Sequence, residues 1–71
     1  MMPLPLAAVG EEMMVQRIGG APNVRTHLEN LGFVAGASVI VLSEIEGNLI
    51  VNVKEARIAL NKEMAMKIFV Q

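Results

Sequence analysis

Apolar and polar residues alternate in short runs along much of the chain, a pattern typical of β-strands that bury one face. The clearest run is at residues 49–53, where Leu49, Val51 and Val53 alternate with Ile50 and Asn52. Together with stretches rich in β-branched residues, the pattern predicts strands at residues 11–18, 38–42, 49–53, 57–60 and 67–70. A tight hairpin turn is predicted at residues 46–48, between residues 42–45 and the strand that begins at residue 49.

The second predicted strand is apolar on both sides. Val39 and Val41 lie on one side, and Ile40 and Leu42 lie on the other. A strand with two apolar faces needs cover on each of them. We therefore expect either the predicted helix or another molecule to cover the outer side.

Residues 24–31 change to the spacing of a helix, with Val24, Leu28 and Leu31 on one face. Asn23 is predicted to cap the start of this helix. Gly32 suits the left-handed position that ends a helix, and Phe33 can then fold back onto Leu28. Gly36 is expected to supply a positive φ in the turn that leads to the next strand. Later in the chain, Asn61 is predicted to cap a single helical turn at residues 62–66.

Five short strands with one helix and one helical turn predict a mainly β fold. A small antiparallel barrel is favoured over a sandwich, because closure protects strand edges, and the arrangement resembles an SH3-like barrel. The 71 residues, with no repeat or linker-like tract, predict a single domain over 1–71. Its core is aliphatic, since 54% of residues are apolar but only two are aromatic, and a core of this size makes association plausible.

Composition argues against several kinds of protein. There is no cysteine, which removes disulfides and thiolate metal sites and fits a reducing cytoplasm. The start of the chain lacks a basic region and is interrupted by Pro3 and Pro5, unlike a secretory signal, and no segment approaches the roughly 18 apolar residues of a membrane span. We expect a soluble cytoplasmic protein with no direct membrane insertion. A net charge of −1 with six Lys and Arg makes nucleic acid a poor partner.

The residues that could carry chemistry are few. His27 is the one strong neutral-nitrogen ligand and the single candidate metal residue on the helix. The position one helical turn beyond it is Leu31, so an ordinary surface histidine is favoured and no dedicated metal site is predicted. Surface carboxylates could contact Fe(II) or another divalent metal weakly, and these are Glu11, Glu12, Glu44 and Glu46. No nucleophile, base or cofactor motif is present, so the sequence predicts no enzyme, no catalytic residue and no required cofactor.

Several segments in fixed order resemble the FeoA family, the small cytoplasmic proteins of bacterial ferrous iron uptake. They are Pro3-Leu4, residues 10–12, residues 25–33 with Gly36, residues 47–50, Val53-Lys54, residues 57–60, and Ala65, Ile68 and Val70. Each segment is weak alone, but their order and spacing across the chain are specific. One common family pattern has Asp-Pro after the hairpin glycine and a glycine in the next bend, where this chain has Asn48-Leu49 and Glu55.

The resemblance implies a non-enzymatic accessory protein that docks on FeoB, the membrane permease with a cytoplasmic GTPase domain, and supports or regulates transport. Candidate docking residues are Phe33, Val34, Val39 and Val41, and a second candidate surface is the groove between helix and barrel. The alternative is a metal-responsive regulatory domain, similar to the C-terminal barrel of iron-dependent repressors. A third reading is a barrel whose main interface joins it to further copies in a homo-oligomer.

Overall fold

The computed structural model describes every residue from Met1 to Gln71. It contains six strands, which are β1 (Met2–Pro3), β2 (Glu12–Ile18), β3 (Ser38–Ile45), β4 (Asn48–Val53), β5 (Ala56–Asn61) and β6 (Ile68–Val70). The helices are α1 (Pro22–Asn30) and α2 (Lys62–Ala65), with a 3₁₀-helix at Leu4–Leu6. The five predicted strands are confirmed as β2 to β6. The prediction missed β1, because two residues that include a proline give no alternation to detect.

The strands form one antiparallel sheet in the order β1-β6-β2-β3-β4-β5. The register shifts between Val15 and Arg17 in β2, and between Val41 and Ser43 in β3. Irregularities of this kind increase the local twist and bend of a sheet. At the ends of the sheet, α2 contacts β4, β5 and the 3₁₀-helix, and the 3₁₀-helix contacts β6. The sheet thus curls around one core, as predicted for a small mainly β, SH3-like fold.

The core consists entirely of apolar side chains and holds no buried polar residue. Its 16 members come from nearly every element: Leu4, Ala7, Met13, Val15, Ile18, Leu28, Phe33, Val39, Val41, Leu49, Val51, Val53, Leu60, Ala65, Ile68 and Val70. Alternation explains the membership, since Leu49, Val51 and Val53 point inward from β4 and pair with inward residues of β3 or β5. The partly buried Val24 in α1 and Leu31 at its C-cap pack against this core, as their helical spacing predicted.

The end of α1 follows the prediction in detail. Gly32 has a φ of +114°, the Phe33 N–H donates to the Leu28 carbonyl at 3.1 Å, and the Gly32 N–H donates to the Glu29 carbonyl at 3.0 Å. These two bonds form a Schellman motif, which satisfies carbonyls that a helix end otherwise leaves free. The motif delivers the Phe33 side chain directly into the core, where it is 0% exposed.

The start of α1 differs from the prediction. The N-cap residue is Ala21, no side chain caps the helix, and Asn23 lies inside the first turn. Pro22 is the first helical residue, where its missing N–H costs nothing and its fixed φ suits the helix. The helix therefore begins two residues earlier than expected. By contrast, the predicted cap of α2 is confirmed, since Asn61 Oδ1 accepts a hydrogen bond from the Met64 N–H at 2.8 Å.

Two tight hairpin turns join β3 to β4 and β4 to β5. Glu46 and Gly47 join β3 to β4 with φ values of +50° and +81°, which matches the hairpin turns whose twist suits flanking strands. Lys54 and Glu55 join β4 to β5, and Lys54 has a φ of +55°. A residue other than glycine in this region costs on the order of 1 kcal/mol, so the surrounding pairing holds Lys54 in place.

Candidate functional site

A groove lies on the outer face of the sheet, where β2, β3 and β4 run side by side. Its floor is a cross-strand row in which Ile40 pairs with Glu12 on one side and with Asn52 on the other. The chain neighbours of this row point the opposite way, since Met13, Val39 and Val53 are buried in the core. Ile40 is only half-buried, so it offers an apolar surface in the middle of an otherwise polar row.

The segment from Val34 to Ala37 forms one wall of the groove. Its position is fixed by backbone hydrogen bonds to β2: the Gly36 N–H donates to the Val15 carbonyl, and the Val15 N–H donates to the Ala37 carbonyl, both at 2.8 Å. Gly36 has a φ of +91°, which confirms the predicted turn into β3. Val34 is half-buried in this wall and adds a second apolar contact surface beside Ile40.

The polar groups of the groove are arranged with opposite charges on different sides. Ser38 Oγ donates a hydrogen bond to Glu12 Oε2 at 2.5 Å, which orients the carboxylate along the floor. Lys54 lines the groove from the β4–β5 turn, and its stem lies against Gly32 at the end of α1. A cation in this position is also favoured by the negative end of the helix dipole.

The groove encloses about 630 Å³, a size within the range of binding clefts. A neighbouring hollow of about 340 Å³ shares Glu12 and Ser38 with it and is lined further by Met13, Met14 and Gln71. Together they present a carboxylate, an ammonium group, a hydroxyl, two amides and several apolar side chains. The polar groups can hydrogen-bond to a peptide segment, and the apolar side chains can pack against apolar side chains of that segment.

The structure corrects three of the four predicted docking residues. Phe33 and Val39 are 0% exposed and Val41 is 5% exposed, so these side chains form the core and are not available to a partner. Val34 alone lies at a surface that a partner can reach, and its role in docking stays a prediction. Sequence reasoning missed Glu12, Ile40 and Lys54. The one available signal was the two-sided apolar pattern of residues 39–42, whose outer side includes Ile40.

The predicted metal-contacting residues are scattered. His27 is exposed in the last turn of α1, and no group of three or more His, Asp or Glu side chains is placed to hold a metal ion. Among the carboxylates, Glu12 lies in the groove, and Glu44 forms an ion pair of 2.9 Å with Lys62.

No helix is long and apolar enough to cross a membrane.

Comparison with known proteins gives the chain a family. The model of the FeoA domain matches residues 2–71. The chain belongs to the FeoA family. It is 32% identical over 71 residues to a Methanocaldococcus jannaschii protein named "Putative Fe(2+) transport protein A", covering 100% of this chain and 87% of that protein. The family is involved in Fe(2+) transport.

Solved structures agree with this assignment. An iron uptake regulatory protein (FeoA) known from a crystal structure shares 33% sequence identity with this chain, with a TM-score of 0.88 and coverage of 99% of this chain and 93% of that one. FeoA from Stenotrophomonas maltophilia complexed with zinc, described as an SH3 domain protein, has a TM-score of 0.87 at 23% identity, over 100% of this chain and 91% of that one. That lower identity shows the shared fold alone.

The same fold occurs within a longer protein. T. acidophilum IdeR matches 99% of this FeoA chain with a TM-score of 0.85, but at 18% identity and over only 33% of the length of IdeR. The same fold is therefore also found as one part of a longer protein.

Proposed function

We propose that this FeoA protein is a non-enzymatic cytoplasmic accessory of ferrous iron uptake, which docks on the cytoplasmic part of a FeoB-type GTPase permease. The observation that carries the proposal is the family match over residues 2–71, since the family acts in Fe(2+) transport. Docking then regulates or supports the transport cycle, and any guanine nucleotide is bound by the permease.

The groove is the surface we assign to this contact. An extended segment of the permease would place an apolar side chain against Ile40 and Val34, which are half-buried in the free protein. Completing the burial of one such side chain contributes on the order of 1 kcal/mol. Glu12 and Lys54, with opposite charges on different sides, would select the orientation of the segment, because complementary charges mainly set specificity and association rate.

The test compares two isoleucines that both lie half-buried on neighbouring strands. Ile40 lines the groove, whereas Ile50, on β4, pairs with Ser43 of β3 and lies outside the groove. Binding of wild type, I40S and I50S would be measured against the isolated cytoplasmic domain and the full permease, each with and without guanine nucleotide. We expect I40S to weaken binding at least about fivefold, a loss of about 1 kcal/mol, and I50S to bind as wild type.

The outcomes separate the parts of the proposal. Binding that changes with nucleotide supports a regulator, and binding only to the full permease supports an assembly role. Equal binding by I40S and wild type would move the contact away from the groove. No binding in any state would contradict the accessory role itself.

A second candidate function is a metal-responsive regulatory domain, which the likeness to the barrel within IdeR favours. Anaerobic titration with Fe(II) distinguishes it from the first. A sensor is expected to saturate at micromolar Fe(II) with a defined stoichiometry, whereas a docking module with only scattered surface carboxylates should show weak, unsaturated binding.

A further inference from the structure

A second surface, away from the groove, is built around a stacked arginine. Arg17 and Phe69 are cross-strand partners on β2 and β6, and the guanidinium carbon of Arg17 lies 4.3 Å from the centre of the Phe69 ring. At this distance the cation is attracted to the ring face. The stack fixes a long side chain that is otherwise free to move, while the N–H groups along the guanidinium edge stay available for planar anions.

Two glycines beside this stack bring a second cation close to it. A Cβ atom added to Gly19 would lie 3.4 Å from the Phe69 ring and 3.8 Å from Arg17 Nη1. A Cβ atom added to Gly20 would lie only 2.8 Å from Lys67 Cδ. The Gly19 N–H also donates to the Lys67 carbonyl at 2.7 Å. Arg17 and Lys67 therefore flank the bare backbone of Gly19 and Gly20, and we call these four residues, with Phe69, the Arg17 platform.

The charges of the Arg17 platform are not used within the protein. The chain contains one ion pair, between Lys62 and Glu44, so neither Arg17 nor Lys67 is neutralised by a carboxylate. Neither side chain donates a hydrogen bond to the protein. In a chain whose net charge is −1, this leaves two cations without a carboxylate partner: Arg17 over the Phe69 ring and Lys67, whose stem lies beside Gly20.

We propose that the Arg17 platform binds the carboxylates of an acidic protein segment. A guanidinium edge matches a carboxylate geometrically, and the Phe69 ring beneath Arg17 holds that edge in place. Two charges are too few for a membrane surface, which is recognised by clusters of about four to eight basic residues, or for a nucleic-acid backbone. The binding chemistry does not depend on the proposed function. Only the identity of the partner rests on it, since the proposed function makes an acidic segment of the permease the expected occupant.

The experiment is an NMR titration of the intact protein with a hexaglutamate peptide, with hexaglutamine as the length control. We expect saturable shifts in the Arg17 Nε–H, the Gly19 and Gly20 amides and the Phe69 ring protons. R17Q should weaken binding roughly threefold to tenfold, the range for removing one charged contact at an exposed site. R57Q, which removes the same charge from an exposed arginine on β5, should change binding less than about twofold.

Several results would overturn the proposal. Unsaturated shifts with hexaglutamate, or equal weakening by R17Q and R57Q, would mean that the peptide is attracted by the overall charge distribution of the protein and not by a site at Arg17. Binding of inorganic phosphate or of phosphatidylglycerol vesicles at the platform, without binding of hexaglutamate, would replace the acidic segment with a phosphate group. If R17Q unfolds, R17K keeps the charge without the planar stack and should still weaken binding. The titration contains no permease, so its failure is distinct from failure of the groove.

Discussion

Replacing Phe33 with alanine should remove most of the stability of this FeoA protein. Phe33 is among the largest side chains that are fully buried, and it lies where the Schellman motif of α1 turns the chain into the core. Deleting a buried phenyl ring typically costs about 3–5 kcal/mol, through lost burial and the cavity that remains. A chain of 71 residues is expected to have a total free energy of unfolding of about 4–11 kcal/mol. F33A therefore retains little of its folded state at the lower end of this range.

Urea denaturation measures the loss in the free energy of unfolding. Far-UV circular dichroism is the suitable probe, because the chain has no Trp or Tyr to report by fluorescence. The other phenylalanine supplies a matched control. Phe69 is half-buried beneath Arg17, so F69A should cost about 1–2 kcal/mol, and F33L, which preserves most of the volume, should cost less than about 1.5 kcal/mol. A smaller loss for F33A than for F69A would refute the assignment of Phe33 to the core.

The same prediction decides how a docking experiment can be read. Because Phe33, Val39 and Val41 hold the core together, a polar substitution at any of them would abolish binding by unfolding the protein. Such a loss carries no information about an interface. Substitutions at Ile40 or Val34, which lie in the groove and only partly buried, report on contact with a partner as long as the urea midpoint is unchanged.

Further predictions follow from the caps, turns and surface charges. N61A should lose about 1 kcal/mol because its side chain caps α2, whereas N23A should be nearly neutral because Asn23 caps nothing; equal losses in urea denaturation would contradict the cap assignment. G32A should lose about 1–2 kcal/mol by the same assay, since alanine is strained at a φ of +114°. Removing the Lys62–Glu44 pair with K62Q should cost less than about 1 kcal/mol, and the cost should shrink as salt is added, because both side chains are half-exposed.

The helix shows which signals in the sequence were sufficient and which were not. Gly32 and Phe33 predicted the end of α1, because a glycine adopts the left-handed conformation there without strain. The apolar residue that follows the glycine in a Schellman motif packs back against the helix and the core. The start was misjudged because Asn23 and Pro22 are both residues typical of helix starts. Proline fits the first helical position so well that the helix begins with it, which places Asn23 beyond the capping position.

The groove illustrates a stronger limit of sequence patterns. Alternation separates the two faces of a strand but does not say which one is inside when both are apolar, as in residues 39–42. The inner face of β3 is decided by its neighbour, because Val39 and Val41 pair with Val53 and Val51, whose own alternation with Asn52 leaves one face polar. The docking residues predicted from β3, Val39 and Val41, therefore lie on its buried face and not on its outer face. Glu12 reaches the groove through the register of β2 against β3, and Lys54 reaches it through the β4–β5 turn. No local sequence pattern encodes either placement.

The groove and the Arg17 platform are joined by one strand, and this constrains a partner that uses both. Glu12 and Arg17 are five residues apart on β2, so about 16 Å separate the two surfaces at the usual rise of a strand. At that distance the effects of I40S and R17Q on the free energy of binding should add, since neither residue shares a contact with the other. They should also differ in kind: I40S should raise the dissociation rate, whereas R17Q should mainly lower the association rate and its dependence on salt. A double variant whose loss equals that of I40S alone would mean that the permease contacts the groove without reaching Arg17, and the platform would then serve a different acidic partner.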